Sequence, residues 1–153
     1  MSEINWKDKC WVTTLFLVRE DGKVLLTMNK NLNTWIPVGG HINPGETPEE
    51  AIKREVAEET QFDFEFLEEP EYKNDGNIKI IKPYMIQIEK VPHHNQHMNF
   101  IFIGKCKSWN EKQATDENEK LRWFSKDDLL QMEGKMLENV RETALKSIEL
   151  TKK

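Results

Sequence analysis

The chain has little cysteine, no long apolar run and no excess of positive charge, and each shortage removes a class of protein. Only Cys10 and Cys106 occur in 153 residues, too few for a disulfide framework to stand in for a core. Both fall in expected strands, far apart in sequence, and read as buried free thiols. No stretch of about 18 apolar residues is present, which removes a membrane-spanning helix. With no secretory or lipidation pattern either, the expected address is cytoplasmic. A net charge of −5 is the wrong sign for polymeric DNA or RNA, which asks for a basic surface. Repeats, low-complexity tracts and linkers are also lacking. What remains is one soluble domain over residues 1–153, with 37% hydrophobic and 32% charged residues, long enough to bury its own core. A monomer or homodimer acting on a small molecule is expected.

The informative stretch is Gly39 to Phe62, GGHINPGETPEEAIKREVAEETQF. Thr47 is a good N-cap, Pro48 suits the first helical position and Glu50 completes a Thr-x-x-Glu capping box, so a helix is predicted from Pro48 to Thr60. At about 100° per residue, Glu55, Glu58 and Glu59 share one arc of that helix, beside Ala51 and Ile52. Like charges on neighbouring turns cost a few tenths of a kcal/mol per pair, and the helix dipole favours acid at Glu49 and Glu50 but not in the last turns. A hard divalent cation would remove the conflict, because Mg²⁺ takes oxygen ligands and keeps waters or substrate phosphates as well. By chemistry alone the arc reads equally well as a metal site or as a solvated acidic face.

Spacing adds to this. Gly40, Glu46, Arg54, Glu55, Val56, Glu58, Glu59 and Phe62 resemble the Nudix box, in which Gly, five residues, Glu and seven residues lead into Arg-Glu-apolar-x-Glu-Glu-x-Gly-apolar. The one departure is Gln61, where the pattern has glycine; it touches the helix exit and removes the residue best suited to a left-handed C-cap. The resemblance, to MutT-like Nudix hydrolases, implies cleavage of nucleoside diphosphates linked to another moiety, with Mg²⁺ or Mn²⁺ as cofactor. It places metal ligands at Glu55, Glu58, Glu59 and the Gly39 carbonyl, with Glu58 central. Arg54 is expected to orient a box glutamate through a bidentate contact, ahead of being an ordinary surface partner for Glu50 or Glu58 at helical spacing, and Glu46 to brace the loop or Arg54 rather than touch metal. The general base would come from the box or from a later loop at Glu117 or Glu119, where a solvated acidic loop is an equal reading.

Elsewhere, Lys9 to Val18 and Lys23 to Met28 flank an Asp-Gly turn and read as a β-hairpin. Trp35-Ile36-Pro37-Val38 enters the glycines in extended form. Phe62 to Leu67 alternates as a half-buried strand. Ile78 to Glu89 contains a strand with Pro83 at an edge or a strand start, and Met98 to Lys105 and Leu121 to Phe124 read as further strands. Ser125 caps a short helix, and Leu137, Val140, Ala144 and Ile148 mark a final amphipathic one. The order predicts an α/β domain with a mixed sheet between helices, and the resemblance implies the Nudix α/β/α sandwich.

Trp35 reads as a core aromatic before a base-stacking one, whereas His41 is the better cleft residue; both, with the strand from Met98 to Phe102, are expected near the substrate. His93, His94 and His97 lack the fourth ligand and the helix of a zinc site. An enzyme is favoured over a non-catalytic binding module because three repelling carboxylates persist together. A nucleoside triphosphate, or a modified one, is the expected substrate ahead of a nucleotide sugar such as ADP-ribose.

Overall fold

A computed structural model describes residues 10–68, 76–90, 96–110 and 119–152 of the chain. The first two apolar runs form β1 (Cys10–Val18) and β2 (Val24–Asn29), joined through a turn in which Gly22 takes φ 81°. The expected hairpin is present but short: β1 and β2 pair only at Leu17 with Leu25 and Val18 with Val24. Beyond these pairs the arms part, and β3 (Thr34–His41) runs antiparallel to both. Its first half follows β2 from Thr34 to Pro37, and its second follows β1 from Val38 to His41. Pro37 stands at the changeover, where a residue without an N–H interrupts the ladder least.

After α1 (Pro48–Glu59) come β4 (Asp63–Phe66), β5 (Met85–Glu89), β6 (His97–Ser108), β7 (Leu121–Phe124), α2 (Lys126–Gln131) and α3 (Glu138–Thr151). The sheet is ordered β4-β6-β1-β3-β2-β7, with β5 also on β6. It is mixed because β1 and β6 are parallel, as a long crossover requires. β6 carries β5 along His97 to Ile101 and β4 along Gly104 to Ser108. Cys10 pairs with His97 at one end of β6 and Cys106 lies near the other, about 30 Å away at the strand rise. Neither is in a disulfide among the described residues; Cys106 is buried, whereas Cys10 is only partly so.

Period-two alternation sends neighbouring β1 side chains to opposite layers. Leu15 and Leu17 join Val38, Phe102 and Trp123 beneath Ile52 and Val56 of α1. Phe16 and Val18 join Ile101, Ile103 and Phe124 against Val140, Ala144 and Ile148 of α3. The result is the expected α/β/α sandwich. The spacing of α3 is right except at its start: Leu137 occupies the N-cap position and is exposed, because the helix begins only after it. Ser125 caps α2 in a capping box with Asp128, as its sequence position implies. Among the described residues no helix is long and apolar enough to cross a membrane.

Candidate active site

The site grows from the start of α1. Thr47 accepts from the Glu50 amide at 3.1 Å and Glu50 accepts from the Thr47 amide at 3.2 Å, which is the capping box predicted. Ala51, Ile52 and Val56 face the core, leaving Glu55, Glu58 and Glu59 along the border of the buried stripe. At the other end Gln61 has φ 61° and its amide reaches the Val56 carbonyl at 3.1 Å. It thus holds the left-handed exit that glycine usually supplies. The turn delivers Phe62 parallel to Trp123, with ring centroids 6.1 Å apart.

The two glycines of β3 let the helix and sheet approach. A Cβ on Gly39 would overlap the Thr13 carbonyl oxygen of β1, and one on Gly40 would stand 2.5 Å from the Glu55 carboxylate. The second contact is with a flexible side chain, so Gly39 is the stricter requirement.

Arg54 ties the parts together. Its Nε and Nη2 donate to the two oxygens of Glu46 at 2.8 and 3.0 Å. Its Nη1 donates to Glu55 at 2.8 Å and reaches Glu58 at 3.3 Å, and Nη2 also donates to the His41 carbonyl at 2.9 Å. Glu46 further accepts from the Asn43 amide at 2.8 Å. The Arg54 guanidinium holds the Glu46 carboxyl below its ordinary range, while Glu46 and Glu55 raise Arg54 further above its own. Arg54 thus contacts two glutamates of α1, and Glu46 bonds to both the loop and the guanidinium.

Glu59 behaves differently. Protein atoms crowded round its carboxyl, with the charges of Glu55 and Glu58, push its pKa up to about 7 against the pull of the Gly39 N–H. The residue as a whole keeps solvent-exposed surface, which moderates the desolvation but leaves the like charges in place. Among the described residues no three His, Cys, Asp or Glu side chains converge on one ion-sized point, since Glu55 and Glu58 are turned onto Arg54. The donors nevertheless fit a hard cation in kind. All are oxygens, they are in excess of nearby positive charge, and one or two carboxylates with water and phosphate suffice for Mg²⁺.

Of the other expected residues, His41 lies on the exposed end of β3, its ring edge-on to that of His97 at 5.7 Å. Trp35 is in the core against Phe124, with the Arg122 guanidinium over its face at 5.1 Å. Glu119 is exposed at the entry to β7, and no hydrogen bond or ion pair joins it to α1 among the described residues. Glu117, His93 and His94 lie outside the described residues.

One group escaped the sequence reading. Glu89 of β5 accepts from Asn99 of β6 at 3.0 Å and from Gln87, Asn99 accepts from the Thr14 hydroxyl at 3.1 Å, and His97 stands 4.0 Å from Glu89. The available signal was the recurrence of a polar residue at every second place of MIQIE and HMNFI.

A family model described as NUDIX domain matches residues 9–146. No curated protein matches the chain significantly in sequence. Among solved structures, a hydrolase of the NUDIX family from Clostridium perfringens is 28% identical, covering 93% of this chain and 97% of its own, with a TM-score of 0.79. The MutT protein from Methanosarcina mazei Go1 is 22% identical over 98% of this chain and 100% of its own, with a TM-score of 0.61. The Ap4A hydrolase of C. elegans is 14% identical over 92% and 96%, with a TM-score of 0.62; at these last two identities the likeness concerns the fold.

Proposed function

Because the chain belongs to the Nudix family, and is thereby a hydrolase of nucleotide pyrophosphate bonds, we propose that it cleaves a nucleoside triphosphate, or a modified one, to the monophosphate and pyrophosphate with Mg²⁺ or Mn²⁺. The observation that carries this reading is the guanidinium of Arg54, which gathers Glu46, Glu55, Glu58 and the His41 carbonyl at the edge of the glycine pair. Glu55, Glu58, Glu59 and the Gly39 carbonyl would hold the cation. When bound, it supplies positive charge to the phosphate oxygens across the bond that breaks.

The chain's own residues set the rest. Arg54 keeps Glu55 and Glu58 from drifting apart, and Gly39 donates to Glu59, so the acidic arc is presented as one surface. We assign the base that takes the water's proton to the box, with Glu58 the foremost choice because its side chain is 59% exposed and its contact with Arg54, at 3.3 Å, is the longest that the guanidinium makes there. Glu119 enters β7 beside Lys120, whose carbonyl accepts from Met28, the partner of Trp35. That is about 13 Å along β3 from Gly39 at the strand rise. The small substrate follows from the acidic net charge of −5, and His41 is assigned to the cleft.

A hydrolysis screen over nucleoside triphosphates and nucleotide sugars, with product chromatography, tests the reading. Inorganic pyrophosphate released from a triphosphate supports it, and activity confined to ADP-ribose or another sugar conjugate overturns the substrate class. Retained activity in Glu58→Gln, lost instead in Glu119→Gln, would move the base to the later loop.

A further inference from the structure

On the sheet face that seats α3, β1 and β6 are apolar at Phe16, Ile101 and Ile103. Further along the same face the register brings polar residues together: Gln87 opposite Asn99, and Glu89 opposite His97. Asn99 is only 4% exposed. It spends its oxygen on the Thr14 hydroxyl and its amide nitrogen on Glu89. Gln87 donates to the same Glu89 oxygen, Oε2. The other, Oε1, is left toward His97 Nδ1 at 4.0 Å, on a side chain that is still 25% exposed.

A buried polar network of this kind is costly unless satisfied, and apolar residues would hold the sheet at least as well. Its product is a carboxylate locked in orientation through one oxygen, with the other facing His97 on a side chain that solvent still reaches. The network lies on the sheet face away from α1, and the end of β3 links the two. The His97 ring meets that of His41, whose carbonyl is held by the Arg54 guanidinium that holds Glu55 and Glu58.

We propose that Glu89, fixed by Gln87 and Asn99, determines specificity by accepting a hydrogen bond from the part of the substrate that is not phosphate, a base N–H or a sugar hydroxyl. This rests on the hydrolase reading above. The sign of the charge sets the chemistry, since a carboxylate repels phosphate and takes donors. A fixed acceptor of this type rejects analogues that lack the donor, because its own hydrogen bond then goes unmade.

Calorimetric binding of AMP, GMP, CMP, UMP, ribose 5-phosphate and inorganic pyrophosphate to the wild type and to Glu89→Gln tests it. At least one nucleoside monophosphate should bind about 10-fold more weakly to the variant, the usual weight of a hydrogen bond to a charged group, while pyrophosphate binding stays the same. An equal loss for ribose 5-phosphate assigns the contact to a sugar hydroxyl; a loss confined to the nucleotides assigns it to the base. Unchanged binding of every organic ligand overturns the proposal, as does an equal loss that includes pyrophosphate, or no binding to the wild type at all. Should Glu89→Gln not fold, Gln87→Ala removes one of the two orienting amides and must show the same selective loss. If the wild type hydrolyses no pyrophosphate bond while Glu89→Gln still shifts binding, the hydrolase reading fails and the recognition role stands.

Discussion

Arg54 reaches four acceptors through one planar group, which an ammonium cannot imitate. Arg54→Lys should therefore lower turnover by about 10- to 100-fold, the cost usual for groups that orient metal ligands, despite keeping the charge; steady-state kinetics with Mg²⁺ will read it. Glu58→Gln should cost about 10²-fold or more in activity and leave the melting temperature in place, because the side chain is largely exposed. At Gln61 the expectation is a gain. A non-glycine residue at φ 61° carries roughly 1 kcal/mol of strain, so Gln61→Gly should be neutral or stabilising in urea melts despite the entropy of glycine. The left-handed conformation was foreseeable from the motif position, whereas the crowding at Glu59 was not, because it depends on what packs round the helix end.

At the scale of elements, α1 was almost wholly legible: a capping box is a local device, and Thr47, Pro48 and Glu50 specify the start without help from the rest of the chain. Thr47→Ala should cost about 1 kcal/mol by denaturant melting. The hairpin was legible only at its turn. Where its arms part, the pairing passes to β3, and no local signal distinguishes a hairpin that stays closed from one opened by a third strand. The run from Ile78 to Glu89 shortened to Met85–Glu89 behind Pro83, as a proline at a strand start implies. Alternation in β6 was visible, but which polar side chains would meet across β5 and β1 depended on register, which sequence spacing within one strand does not contain.

For the molecule as a whole, the repelling glutamates link metal, pH and stability. A cation that binds only the folded state stabilises it by mass action, about 2.7 kcal/mol at 100 times its dissociation constant. The melting temperature should accordingly rise with Mg²⁺ or Mn²⁺, and Glu55→Gln should blunt the rise. Without metal, the Glu59 carboxyl has a folded pKa of about 7, above the ordinary 4.5. The folded state then holds this proton more tightly than the unfolded chain, so its contribution is full at low pH and is lost as pH rises through about 7. Protein treated with chelator should thus lose stability between pH 5 and 8 more steeply than Glu59→Gln does. An identical slope in both would remove Glu59 from the account.

The chain's order by itself determined the capped helix, the acidic arc on it, the glycine pair before it and the α/β class, because caps, helical angle and strand alternation act over a few residues. Only the tertiary structure decided that Glu46 would bond to the loop and Arg54 at once, that the His41 carbonyl would join them, and that Glu89 and Asn99 would meet. Those outcomes depend on which strands become neighbours and in what register. That choice is made by burying two apolar faces of one sheet at once, a condition met by the whole fold and by no single stretch of it.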